Sequence, residues 1–456
     1  MSVLALSELA DMLNGTLRGA DARFDGVSTD SRTLRTGELF VALRGPNFDG
    51  HDYLATAHAG GAAGAMVEHT ADTPLALVEV SDTLLGLGEL GRQWRQRHAV
   101  RVVAVTGSNG KTTLKEMIAA ILARRGGVLA TRGNLNNAIG VPLTLSRLRD
   151  EPYAVIELGA NHPGEIEYLT GLACPDVAVL NNAGRAHLEG FGSLEGVARA
   201  KAEIIRGLAA DGTFVFNADD AFAGLWRDLG HDLTQRTFGV VQPADVSSPR
   251  DAYVVQWHGN RFEARFPVRC DHGEVELRLP LAGEHNRMNA LAAVAAGLAA
   301  GADLDDAVKA LAGLAPVPGR LCPLPGIDGA RLIDDSYNAN PDSVAAALRV
   351  LAAAPGRRTL VLGDLAELGD SAHELHRQLG GLASEAGIDR LFTVGALSGH
   401  AGELFTGEHR HFAERESLIE TLTADLSPDD SLLIKGSRSA RMDRVVDALR
   451  ATEAAC

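Results

Sequence analysis

Two apolar patterns alternate along the chain. One is a short uninterrupted run, such as Val102-Val-Ala-Val105, which suits a strand buried on both faces. The other is apolar residues at helical spacing, as in Leu114, Met117, Ile118, Ile121 and Leu122 after Lys111. Further buried-strand candidates at 153–158, 176–180 and 213–216 alternate with helices, and a helix over 84–97 leads into the first strand. This rhythm predicts a mostly parallel sheet with helices on both faces. The character changes over 252–280, where 253–257 and 275–279 read as antiparallel strands at one side. An alanine-rich helix follows from Asn286 to about Ala300.

The flanks repeat the α/β theme on a smaller scale. Ser7 is a candidate cap for a short helix over Leu9 and Leu13, followed by strands at 39–43, 65–68 and 75–80. Beyond Pro316-Val-Pro-Gly319, a linker by composition, strands are expected at 331–333, 359–362, 391–394 and 432–434. The expected architecture is therefore α/β in three domains. These are a small N-terminal unit (1–81), a central phosphate-loop unit (82–314) and a C-terminal Rossmann-like unit (315–456).

Composition agrees with this size: 456 residues suffice for about two to four domains. The net charge of -16 argues against a nucleic-acid surface, and an anionic substrate would need local cations and helix N-termini. Four scattered cysteines show neither metal spacing nor a disulfide framework. No run approaches a membrane span, and no basic-then-apolar leader opens the sequence. A monomeric cytoplasmic protein, with ATP at hand, is expected.

The chemistry gathers where strands end. Thr106 to Gly110 breaks the first strand and Lys111 opens a helix, the geometry that aims backbone N–H groups at a phosphate. Lys111 would place a charge on the outer phosphates, and the Thr112 hydroxyl would ligate Mg²⁺. The spacing departs from the Walker pattern, because Val105 stands where its first glycine belongs. Glu157 ends a buried strand, which is costly unless it is paired with an arginine or bound to a metal. His187, in a glycine-rich loop, is a candidate second ligand. Asn286 and Asn289 share a helix face and could read a purine edge, or Asn286 could simply be an N-cap. Asp334-Asp-Ser-Tyr-Asn-Ala-Asn-Pro341 reads as a polar recognition loop or as a capped helix start. Ser28-Thr29-Asp30-Ser31-Arg32 suits a phosphate or ribose, or a solvated turn. Lys201, in a helix, stands out on no physical ground.

Together these stretches resemble the Mur ligases of peptidoglycan synthesis, a group that includes folylpolyglutamate synthetases. The resemblance is almost end to end. Thr106-Gly-Ser-Asn-Gly-Lys-Thr-Thr113 is similar to that family's own phosphate loop, which accounts for the departure from Walker spacing. Asp335-Ser-Tyr-Asn-Ala-Asn-Pro-Asp-Ser343, Leu362-Gly-Asp-Leu-Ala-Glu-Leu-Gly369 and Lys435-Gly-Ser-Arg-Ser439 are similar to the branch that takes UDP-N-acetylmuramoyl-tripeptide and D-alanyl-D-alanine as substrates. The resemblance implies an ADP-forming, amide-bond-forming ligase that uses ATP and Mg²⁺. It implies that Gly107, Ser108, Asn109, Gly110, Lys111, Thr112 and Thr113 hold the ATP phosphates. Thr112, Glu157, His187 and Lys201 would face the metal, Lys201 as a carbamate. Asn286 and Asn289 would lie on the adenine side, with Arg320, Asp335 and Tyr337 contacting the nucleotide. Asn338, Asn340 and Ser343 are implied contacts for the dipeptide. Asn134, Asn136 and Asn137 are implied for the central cleft, and Ser28 to Arg32 for the uridine nucleotide. A phosphate-loop ATPase and a folate-type ligase are the competing readings.

Overall fold

The computed structural model describes residues 3–185, 188–259 and 261–451. Three sheets organise them. The N-terminal sheet has the order Thr16–Arg18, Leu77–Glu79, Gly64–Val67, Leu39–Val41, Val27–Ser28, parallel except at the Thr16–Arg18 edge. The helix beside it, Leu6–Met12, has Ala5 rather than Ser7 as its N-cap. The Ser7 hydroxyl donates instead to Asp21 at 2.7 Å.

The central sheet has ten strands. Val128–Ala130, Tyr153–Glu157, Arg101–Thr106, Val177–Leu180, Thr213–Asn217, Thr234–Gly239 and Val246–Ser247 run parallel. Arg261–Cys270 then joins antiparallel and pairs in turn with Val254–His258 and Gly273–Leu279. The long Arg261–Cys270 strand escapes the sequence reading. Its inward set Phe262, Ala264, Phe266 and Val268 does alternate, but Pro267 and interleaved arginines disguise it.

The C-terminal sheet runs Cys322–Pro325, Arg331–Asp335, Asp430–Lys435, Arg357–Gly363, Arg390–Val394, Glu408–Phe412. Only its Cys322–Pro325 edge is antiparallel. The two edge strands are the ones the apolar pattern does not show. One carries two prolines, the other histidines and charges, as unpaired edges do.

Burial follows from the patterns. Val102 to Val105 are fully buried, with helices on both faces. The Lys111–Leu122 and Glu284–Ala299 helices share one core with that sheet. The other face shares its core with the N-terminal unit through the Thr83–Gln96 helix. There Trp94 is fully buried and its indole N–H donates to the Leu148 carbonyl at 3.1 Å. Trp94→Ala is expected to cost about 3–5 kcal/mol, read as an earlier denaturant transition of this shared core.

Phe262 and Ala282 of the central unit pack into the core beneath the Pro341–Ala352 helix of the C-terminal unit. The two units therefore meet over a packed apolar contact as well as over the cavity described next.

Candidate active site

Arg101–Thr106 lies between Tyr153–Glu157 and Val177–Leu180, so three parallel strands end side by side. Chain order reverses across this strand, and ligands of open α/β sheets gather at such a point. The loop after it turns on Gly110, at φ 79, and the Lys111–Leu122 helix begins there. The Lys111 side chain folds back over the loop, donating to the Gly107 carbonyl at 2.6 Å and the Ser108 carbonyl at 3.4 Å. Burial draws its amine pKa down, the Glu157 charge opposes this, and Arg320 adds to the depression.

Glu157 is 3% exposed. One carboxylate oxygen accepts from the Asn136 amide at 2.8 Å. The other, Oε2, is buried with no hydrogen-bond partner among the described residues. An orphaned carboxylate oxygen is expensive unless a cation completes it. Among the described residues, Glu157 forms no pair with an arginine, the alternative considered from the sequence. Thr112 Oγ1, in the same cavity wall, accepts from Arg320 Nη2 at 3.0 Å.

Lys201 comes from the Leu194–Ala202 helix and is 1% exposed. Its ammonium donates to the Ala160 carbonyl at 3.3 Å and lies 5.2 Å from the Phe191 ring centroid. Burial first, and the Lys111 charge second, bring its pKa down to about 7. His187, the candidate second metal ligand, lies outside the described residues.

The C-terminal unit closes the other side. Arg320 stacks over Tyr337, with the guanidinium 4.3 Å from the ring centroid. Asp335 pairs with Lys435 at 2.6 Å, and burial raises its pKa against the pull of that lysine. Asn340 and Ser343 form a capping box at the start of Pro341–Ala352. The Asn340 amide also reaches across to Asn109 Oδ1 at 2.7 Å, and the Arg185 N–H donates to Asp342 at 2.8 Å. The two units enclose a cavity of about 1050 Å³, at the upper end of ligand-pocket sizes.

Three family descriptions match in this order: "Mur ligase family, catalytic domain" over 23–94, "Mur ligase middle domain" over 105–297, and "Mur ligase, glutamate ligase domain" over 319–438. The chain belongs to the Mur ligase family. It is 47% identical over 99% of both chains to the UDP-N-acetylmuramoyl-tripeptide–D-alanyl-D-alanine ligase of Escherichia coli K12. To the protein of the same name from Bacillus subtilis it is 35% identical, over 97% of this chain and 98% of the other. A MurF crystal structure from Acinetobacter baumannii superposes with a TM-score of 0.91 at 37% identity, covering 98% of each chain. The MurF ligase of Thermotoga maritima in complex with ADP gives 0.82 at 29% identity, covering 93% of this chain and 96% of that one.

In this Mur ligase the cavity gathers most of the residues singled out from the sequence. Ser108 to Thr113, Asn136, Glu157, Asn286, Asn289, Arg320, Asp335, Tyr337, Asn338, Asn340 and Ser343 all line it. Gly107 lies under Lys111, and Lys201 reaches the wall through Ala160. Asn286 is not a helix cap: Gly283 is, and the Asn286 amide donates to Ala282 O at 2.8 Å. Asn134 and Asn137 do not line the cavity. The Asn137 side chain accepts from the Ile139 and Gly140 N–H groups.

Ser28 to Arg32 lie outside the cavity too, in a loop closed on itself. Asp30 takes a bidentate contact from Arg32, which holds its carboxyl at about 2. Asn181, Asn182, Arg185, His285, Asp342 and Lys435 also line the cavity, although sequence reasoning gave them no role. The signal for the asparagines is their place, directly after a buried strand. The His373, His400 and Glu403 group lies apart from the cavity; His373 and Glu403 are exposed, and the carboxylate is engaged by His400 at 2.8 Å.

Proposed function

We propose that this Mur ligase joins D-alanyl-D-alanine to UDP-N-acetylmuramoyl-tripeptide, converting ATP to ADP and phosphate, in the assembly of cytoplasmic peptidoglycan precursors. The observation that carries this reading is a single cavity walled by a phosphate loop, a buried half-satisfied carboxylate and the Asp335–Ser343 motif of another unit. The names of the full-length relatives support the substrate pair. Among the described residues, no helix is long and apolar enough to cross a membrane. The chain divides by role into 1–81 for the uridine nucleotide, 82–314 for ATP, and 315–456 for contacts to both ATP and the dipeptide.

The chemistry assigns work to the residues. A carboxylate and an amine do not condense unaided. The stem-peptide carboxylate attacks the γ-phosphorus of ATP, ADP leaves, and an acyl phosphate results. The dipeptide amine then attacks the acyl carbon and phosphate departs. Reactants of like charge must be brought together, so most of the catalysis is positioning and charge screening. Lys111 supplies one positive charge at the loop. Thr112 and Glu157 fit Mg²⁺, because the free Glu157 Oε2 is an acceptor without a donor. His187 and Lys201 would complete that set. When bound, Mg²⁺ offsets the charge of the phosphate oxygens.

Asn286 and Asn289 face the adenine side, with Arg320, Asp335 and Tyr337 closing over the nucleotide. Asn338, Asn340 and Ser343 border the place for the dipeptide. The cap contacts of Asn340 and Ser343 make their contribution one of shape and backbone placement. Ser28 to Arg32 bind the uridine nucleotide, and Asn134, Asn136 and Asn137 the stem peptide. The Asn340–Asn109 bridge fits an enclosed site that keeps an acyl phosphate from water.

A panel of substrates tests the assignment. ADP is expected to form only when UDP-N-acetylmuramoyl-tripeptide and D-alanyl-D-alanine are both present. Turnover with a single free amino acid instead would assign the chain to a sister reaction. ADP formation indifferent to any amine would reduce it to an ATPase.

A further inference from the structure

Asn181 lies beyond the last residue of Val177–Leu180, and its backbone N–H extends the ladder to the Thr106 carbonyl at 3.0 Å. Its side chain is 2% exposed. Both amide hydrogens are used: Nδ2 donates to the Asn109 carbonyl at 3.0 Å and to Asn289 Oδ1 at 2.8 Å. Asn289 Nδ2 donates in turn to Asn286 Oδ1 at 3.2 Å, and Asn286 Nδ2 to the Ala282 carbonyl at 2.8 Å.

A backbone carbonyl stands at each end of this chain and can only accept. Every amide between them is therefore fixed in one orientation. Satisfied networks of this kind in a buried setting are stiff. The phosphate loop passes so close that a Cβ on Gly110 would sit 2.6 Å from Asn289 Oδ1 and 2.9 Å from Asn181 Nδ2. The loop glycine is thus shaped by the asparagine pair beneath it. Asn182 grips the same loop residue from the other side, accepting from the Asn109 N–H at 2.9 Å and donating to its carbonyl at 3.1 Å. Unlike Asn181, its side chain makes no hydrogen bond to the base-side helix among the described residues.

We propose that Asn181 is a positioning residue that ties the phosphate loop to the base-side asparagines, so that base and phosphates are held in one register. The proposal rests on the reading of this cavity as an adenine-nucleotide site. Asn181 acts through Asn109 and Asn289, not on the reacting atoms. Asn182 is its internal comparison, because it supports the loop without the link.

The test is a double-mutant cycle on ADP affinity, measured by calorimetry on the full chain with Asn181→Ala, Asn289→Ala and the pair. Each single substitution is expected to weaken ADP by about tenfold, and the pair by about tenfold rather than a hundredfold. The pair of Asn182→Ala with Asn289→Ala is expected to be multiplicative. Inorganic triphosphate, which has no base, is expected to lose less than threefold with Asn181→Ala. Should Asn181→Ala not fold, Asn181→Ser runs the same cycle. Multiplicative effects of Asn181 and Asn289, or an equal loss for ADP and triphosphate, would overturn the positioning role. Wild-type protein that does not bind ADP would instead overturn the reading of the cavity.

Discussion

Glu157→Gln is expected to abolish ligation while leaving the fold intact. The glutamine side chain has the same shape, and its oxygen can keep the 2.8 Å bond from Asn136. What it loses is the anionic oxygen that accepts no hydrogen bond among the described residues. If a cation completes that oxygen during turnover, its removal costs several kcal/mol of charge stabilisation, on the order of a thousandfold in kcat. Without ligands the effect on stability is small. Two terms oppose each other: the buried charge is relieved, but Lys111 loses the carboxylate that favours its charged form, so the melting temperature of the variant is expected to stay near that of wild type. Steady-state kinetics and a thermal melt together check this. Loss of both activity and stability would make Glu157 a structural residue.

Lys201→Ala is the second large effect, expected to lower kcat by at least about a hundredfold. In the carbamate reading the amine takes up CO₂, releases a proton and becomes an anion beside the metal position. Only the neutral amine reacts. With the pKa drawn down to about 7, about half of the Lys201 side chains are neutral at that pH, a far larger share than an exposed lysine offers. The requirement for added bicarbonate is therefore expected to grow as pH falls below 7. The truncated side chain leaves room for a short carboxylate, so acetate or formate is expected to restore part of the activity.

The same shift has a stability side. The folded pKa lies below the unfolded value of 10.5, so between about 7 and 10.5 the unfolded chain binds more protons and stability rises with pH. Below that window the burial penalty is present in full. Lys201→Met is thus expected to raise the melting temperature at neutral and lower pH while remaining inactive. Full activity of Lys201→Ala without rescue would remove the carbamate.

What could be read from the sequence follows a physical line. The Lys111–Leu122 helix was legible from its apolar residues at helical spacing, and the central strands because burial on both faces leaves little room for polar residues. Edge strands were not, because Glu408–Phe412 and Cys322–Pro325 must discourage pairing and so carry charge and proline. Ser7 has the right residue type for a cap, yet Asp21 competes for its hydroxyl across the fold. Asn286 likewise matches a cap by type, but the helix starts two residues earlier.

At the site, the phosphate loop and Glu157 could be argued from their places after buried strands, because a strand end is where backbone and carboxylate meet a ligand. The burial of Lys201 could not. Its helix has the ordinary mixture of small and charged residues, and only packing against Phe191 and the Ala160 carbonyl removes it from water. The asparagine chain from Asn109 to Asn286 was equally hidden. Its members lie on three separate segments, and no local pattern joins all of them.

The central claim is that the stem-peptide carboxylate is phosphorylated before the amide forms. The most direct measurement labels that carboxylate with ¹⁸O and follows the label by mass spectrometry during ligation. One ¹⁸O atom is expected in the released phosphate and the other in the new amide. Phosphate free of label, with both ¹⁸O atoms absent from it throughout turnover, would contradict the account.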